Sequence, residues 1–96
     1  MAKGYWVVTY RSAADPERRA AYGKIATEAI EAMGGRFLAR GGQVTAHELG
    51  VAERTVLVEF PSYEVAVATY ETETYQRALV ALGEVERDVR ITEGAD

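Results

Sequence analysis

The run Gly4-Tyr-Trp-Val-Val-Thr-Tyr10 has the residue types of a β-strand and is apolar or aromatic on both of its sides. Side chains alternate across a strand, so Tyr5, Val7 and Thr9 point one way and Trp6, Val8 and Tyr10 the other. A half-exposed strand would show a polar face. This one asks for cover twice, and a chain of 96 residues has little material for two covering layers. A second subunit is therefore expected to supply one of them. The competing expectation is a monomer in which Tyr5 and Thr9 face water, which both tolerate.

The other elements follow from caps and periodicity. Asp15-Pro16-Glu17 reads as a helix start: Asp accepts backbone N–H bonds, Pro is pre-set for the first helical position, and Glu suits the positive end of the dipole. Tyr22, Ile25, Ala26, Ala29, Ile30 and Met33 then form one apolar stripe, and Gly34-Gly35 ends the helix. Arg36 to Arg40 reads as a strand. A bulge at Gly41-Gly42 would let it continue, bent, to about Leu49, with a polar turn over Gly50–Glu53. Arg54 to Phe60 is the next strand, with Val56, Val58 and Phe60 on one face and Thr55, Leu57 and Glu59 on the other. Pro61 stops it and Ser62 caps a helix whose inner side carries Ala66, Val67 and Tyr70. Thr72 is a second cap, before the stripe Tyr75, Ala78, Leu79 and Leu82 and the closing Gly83. Val85 to Glu93 alternates as an edge strand, Val85, Arg87, Val89 and Ile91 against Glu86, Asp88, Arg90 and Thr92. The tail Gly94-Ala95-Asp96 is expected to fray.

The order β-α-β-β-α-β predicts a single α+β domain over residues 1–96 with the split, ferredoxin-like arrangement. Right-handed crossovers place strands 1 and 3 at the centre of a four-stranded antiparallel sheet, with 2 and 4 at its edges. Both helical segments lie on one face. A second copy would close the other, sheet to sheet at ~10 Å, and a C2 homodimer is the expected assembly.

Composition removes several classes of function. A net charge of -4 and a pI near 5.0, with 11 scattered basic residues, disfavour nucleic acid as a partner. The absence of cysteine excludes disulfides and thiol chemistry, and His47 as the one imidazole makes a classical zinc site improbable. No segment approaches the ~20 apolar residues of a membrane span or has the core of a signal peptide, so a cytoplasmic location without a membrane partner is expected. A phosphate-binding loop needs strand, loop and then helix with Lys-Ser/Thr, which Gly34-Gly35 does not satisfy. Ser12 and Ser62 stand at loop or cap positions, which argues against a Ser-His-Asp arrangement.

Particular residues carry a family resemblance. The chain has Gly4-Tyr5-Trp6, Asp15-Pro16-Glu17 with Tyr22, Gly34-Gly35-Arg36-Phe37-Leu38 with Arg40-Gly41-Gly42, Glu59-Phe60-Pro61-Ser62, Tyr70, Tyr75-Gln76 and Glu93-Gly94. Together these resemble the DUF1330 family of small bacterial proteins over nearly the whole chain. The resemblance implies membership of the dimeric α+β barrel group, in which two ferredoxin-like subunits pack their sheets face to face. That group includes cofactor-independent monooxygenases, muconolactone isomerases and small polyketide cyclases. The chain departs from the family pattern at Arg19, where a tyrosine is common, and at Leu79 and Leu82, where relatives often carry a Lys and an Arg.

Several residues are candidates for a site. Glu59, if its face looks into a dimer interior, would have its pKa raised by desolvation toward the range of a general base; otherwise it pairs with Arg36 or Arg40. His47, placed on the strand beyond the glycines, is a candidate acid or base; otherwise it is a surface histidine on a hairpin arm. Arg36 and Arg40 flank Leu38 on one face and would hold a carboxylate of a substrate; otherwise they are solvated strand charges. Tyr5, Tyr63, Tyr70 and Tyr75 would line a pocket, or else pack in the core with one hydrogen-bonded tip each. Trp6 is expected under the helices. Two functions remain open: a cofactor-free, metal-free enzyme (isomerase, cyclase or monooxygenase) on a small organic acid or aromatic, and a non-catalytic dimeric binding or accessory module. Convergence of Glu59, His47 and an arginine on one cavity would favour the enzyme.

Overall fold

In the computed structural model, which describes residues 2–95, the two-sided strand is central. β1 (Gly4–Tyr10) pairs antiparallel with β3 (Thr55–Phe60) on one side and with β4 (Arg87–Glu93) on the other. β2 (Arg36–Arg40) joins the far edge of β3, so the sheet order is β2-β3-β1-β4. This is the expected ferredoxin-like topology, with β4 beginning two residues later than the alternation suggested. α1 (Pro16–Ala32), α2 (Tyr63–Tyr70) and α3 (Glu73–Leu82) form the helical layer. The dimensions, 35 × 32 × 17 Å, are those of one sheet carrying one layer of helices.

The local signals act as anticipated. The Asp15 carboxylate accepts from the N–H groups of Glu17 and Arg18 at 2.9 and 3.3 Å. Ser62 Oγ accepts from Val65 N–H at 3.1 Å and Thr72 Oγ1 from Tyr75 N–H at 3.2 Å, so the cap at Thr72 splits the second helical segment in two. On α2 the inner side is Ala66, Thr69 and the partly buried Tyr70, while Val67 stays exposed; Thr69 satisfies its hydroxyl by donating to the Val65 carbonyl at 2.7 Å. Gly94 N–H donates to the Lys3 carbonyl at 2.7 Å, so the tail is tied down at Gly94; Asp96 lies outside the described residues.

Register puts Trp6, Val8 and Tyr10 on the same side as Val56, Val58 and Phe60, and this side meets the helices. Trp6 is 1% exposed and its indole N–H donates to the Ala66 carbonyl at 2.8 Å. Its ring meets Phe60, Tyr70 and Tyr75 at centroid distances of 5.1, 5.9 and 4.9 Å. Burying this aromatic cluster stabilises the fold at about 25 cal/mol per Å² removed from water.

Two expectations fail in the second strand. β2 does not continue to Leu49. Gly41 adopts φ +74°, donates its N–H to the Thr55 carbonyl at 3.1 Å, and turns the chain out of the sheet into a loop that returns at Arg54. The irregularity in pairing lies earlier, where Phe37 faces Val58 and Ala39 faces Leu57, leaving Leu38 as an additional residue. That extra residue inverts the alternation. Arg36 stands opposite Glu59 on the open face, while Arg40 stands opposite Val56 on the helix-covered face. The two arginines therefore do not share a face.

Candidate functional site

Polar groups gather in two places, one on each face of the sheet. On the open face, Glu59 accepts from Lys3 Nζ and from Arg36 Nη2, both at 3.2 Å, and lies 3.5 Å from the Tyr5 hydroxyl. Desolvation pushes the Glu59 pKa up, but Lys3 and Arg36 together outweigh it and hold the carboxyl below the ordinary value of 4.5. The expectation of a raised, basic carboxylate is thus reversed: within one subunit this is an ionised member of an ion pair. His47 lies on neither strand nor helix. It is exposed in the loop after Gly41, its carbonyl accepting from Gly50 N–H at 2.8 Å, and it borders a groove with Thr9, Leu49, Val51 and Asp88. Glu59 does not line that groove.

On the helix-covered face, an apolar cavity of about 30 Å³ lies between α1 and the sheet. Trp6, Val8, Ile30, Phe37, Val56 and Val58 form its floor and walls, and four arginines, Arg19, Arg40, Arg54 and Arg87, surround it. It shares Tyr10, Arg19 and Arg54 with an outer groove of about 360 Å³. The inner volume holds about one water, so a larger occupant requires the side chains at the rim to swing outward.

Arg87 is the odd residue here. It is the charged member of an otherwise apolar alternation along β4, opposite Tyr10, so the sheet aims it at the helices. Its guanidinium stacks over Tyr10 and Tyr22 at 5.5 and 5.3 Å from the ring centroids. It donates to the hydroxyls of Tyr22 at 3.3 Å and Tyr75 at 3.5 Å, and those hydroxyls lie 2.7 Å apart. Burial pushes the Tyr75 hydroxyl well above its ordinary value, and the nearby Tyr22 adds to the rise. For Arg87, burial works against the charge, but the two tyrosines outweigh it and raise its pKa. The ion pairs among the described residues are Lys3–Glu59, Arg36–Glu59 and Arg90–Asp88. Among the described residues, none of the four cavity arginines has a carboxylate partner.

Of the residues singled out in the sequence, Glu59, Arg36 and Tyr5 come together on the open face. Arg40 rims the cavity, with its guanidinium 3.9 Å from the Phe37 ring centroid. Tyr75 touches the cavity network through its hydroxyl, and Tyr70 packs at the far side of Trp6. Arg19, Arg54, Arg87 and Tyr22 are the site residues that sequence reasoning missed. Arg87 was legible as a charge on an apolar stripe, and Arg19 as a residue one turn before Tyr22. No cluster of three or more His, Asp or Glu side chains suited to a metal occurs among the described residues. No helix there is long and apolar enough to cross a membrane.

Topology and a one-sided helical layer define a ferredoxin-like α+β protein. Solved structures agree. A protein of unknown function from Rhodopseudomonas palustris superposes with a TM-score of 0.75 at 17% identity, covering 99% of this chain and 84% of that one. A dimeric ferredoxin-like protein of unknown function from Thermobifida fusca gives 0.61 at 11% identity, covering 95% and 90%. A Caulobacter crescentus protein provisionally named an antibiotic biosynthesis monooxygenase gives 0.57 at 15% identity, covering 99% and 91%. No curated protein matches the sequence. The model of the DUF1330 family, a domain of unknown function, matches residues 3–95, and the chain belongs to that family.

Proposed function

We propose that the protein is a sheet-to-sheet homodimer in which each subunit takes up a small, largely apolar organic acid between α1 and the sheet. One observation carries the ligand: Arg87 brings a positive charge to an apolar cavity and finds only tyrosine hydroxyls there. A charge-assisted, two-pronged contact with a carboxylate would complete its partners. Trp6, Tyr10, Tyr22 and Phe37 favour a flat or aromatic body behind that carboxylate. The half-buried Tyr5, Val7 and Leu57 on the open face support the dimer, since a neighbouring copy would cover them. The T. fusca relative, described as dimeric, supports the same assembly.

The test of the ligand is thermal shift and calorimetry with benzoate-like acids and their methyl esters. The acids should raise the melting temperature in proportion to log concentration once binding saturates; the esters should not. Arg87→Met should abolish the effect. Equal responses to acid and ester would remove Arg87 as the recognition element.

An enzyme reading has separate support in two structural relatives, from C. crescentus and Nitrosomonas europaea, provisionally named antibiotic biosynthesis monooxygenases. In that reading the group placed to move a proton at the cavity is Tyr22, steadied by Arg87 and Tyr75. Glu59 and His47 would act as base and acid only in a chamber assembled by two subunits. Turnover lost in Tyr22→Phe but retained in Glu59→Gln would favour the cavity; the reverse would favour the subunit interface.

A further inference from the structure

Arg19 on α1, Arg40 at the end of β2 and Arg54 just before β3 converge where the cavity opens. Arg19 and Arg54 line the cavity and both grooves outside it, and Arg40 lines the cavity and one of those grooves. The Arg40 side chain is held by neutral groups. Arg40 donates to Thr27 Oγ1 at 2.7 Å and rests on Phe37. Arg54 lines the cavity beside Tyr10 and passes over Gly41, where any Cβ would run into its guanidinium. Gly23 lies in the middle of α1 beside the rim, and a Cβ there would make an ordinary contact with the Arg40 guanidinium at 3.7 Å. Burial, together with the charges of Arg19 and Arg40, holds the Arg54 pKa below its ordinary value of 12.5. Glu28 and Glu53 border the grooves but form no ion pair with the three. Three like charges gathered with no ion-paired carboxylate among the described residues repel one another, and an anion between them reduces that cost.

We propose that Arg19, Arg40 and Arg54 form a binding site for a phosphate monoester, its phosphate at the rim and its organic part directed into the cavity. Three guanidinium forks present more N–H donors than two carboxylate oxygens can accept. A tetrahedral phosphate monoester, with about −1.5 to −2 charge and three free oxygens, matches both their number and their charge. Placement of the organic part rests on the cavity reading proposed above; the phosphate site itself does not.

The experiment compares inorganic phosphate with chloride at equal ionic strength, by thermal shift and calorimetry, in the wild type, Arg40→Gln, Arg54→Gln and Arg77→Gln. Phosphate should stabilise the wild type saturably. Arg40→Gln and Arg54→Gln should each weaken phosphate binding by about tenfold or more, and Arg77→Gln, exposed on α3 and remote from the cavity and grooves, should leave it intact. Without phosphate, Arg54→Gln should melt at or above the wild-type temperature, which separates lost binding from lost folding. A phosphate response no larger than that of chloride, or one that persists in both Arg40→Gln and Arg54→Gln, overturns the site. Phenyl phosphate is the second probe. Binding at least tenfold tighter than inorganic phosphate supports a ring in the cavity, whereas equal binding overturns the placement of the organic part.

Discussion

The two faces of the sheet are built from the same strands, residue by residue, yet they end in different states. On one face Trp6, Val8, Tyr10, Val58 and Phe60 are each no more than 3% exposed. On the other, Tyr5, Val7, Thr9 and Leu57 remain half-exposed around a surface ion-pair cluster. The covered face is finished inside the chain, and its one anomaly is positive charge brought in without acid. The open face balances its charge locally, Glu59 against Lys3 and Arg36, and leaves apolar area instead. One face thus brings arginines to an apolar cavity and the other keeps apolar area at the surface, and the two can be tested separately.

The largest effect should come from the covered face. Trp6→Ala removes the ring at the centre of the aromatic cluster and the bond to Ala66, and should cost about 3–5 kcal/mol in denaturant unfolding. A loss under about 1 kcal/mol would mean that this face is not the main core. Next, Leu57→Arg should leave the fold intact but convert the assembly to a species of 10.5 kDa by light scattering, with a melting temperature that no longer rises with protein concentration. A wild type that already scatters as a monomer breaks the comparison, since the open face would then need no partner.

Smaller effects separate the faces by pH. Tyr75→Phe removes the hydroxyl shared by Tyr22 and Arg87 and should cost about 1 kcal/mol at neutral pH. The folded pKa of Tyr75 is raised, so its contribution is complete below the ordinary value of 10 and is lost as pH climbs toward the higher folded value. The variant should therefore show a weaker alkaline loss of stability than the wild type. Glu59→Gln should have the smallest effect. The folded pKa of Glu59 is depressed, so its contribution is present above the ordinary 4.5 and is lost as pH falls through the lower folded value. Wild type and variant should converge in acid and differ slightly at neutral pH. Raised stability in Glu59→Gln would instead mark the carboxylate as strained.

Alternation and caps made most of the fold readable. Period two along β1 and β3 sorted core from open face, and Asp15, Ser62 and Thr72 marked helix starts through the bonds they form. The site was harder to read, because one residue decides it. The register shift at Leu38 sends Arg36 and Arg40 to opposite faces, and nothing in Arg36-Phe-Leu-Ala-Arg40 announces an extra residue in a two-residue period. Glycines at 41 and 42 suggested a bulge at the wrong place, since the positive φ of Gly41 ends the strand rather than bending it. With β2 cut short, His47 leaves the sheet and does not meet Glu59 within the chain. The set of cavity arginines was beyond a linear reading for another reason: its members come from α1, β2, the residue before β3 and β4, and meet only when the sheet is assembled.

The position of Trp6 also has an optical consequence. It is the single tryptophan of the chain, sealed from water with its N–H bonded to Ala66, and its ring forms part of the cavity wall. Its fluorescence therefore comes from one known environment and should lie toward the blue. A guest beside the indole would alter that emission by quenching or by energy transfer, while a molecule bound on the opposite face of the sheet would leave it nearly unchanged. The protein carries its own lamp at the point where occupancy matters, and an unlabelled titration can tell which side of the sheet a ligand has chosen.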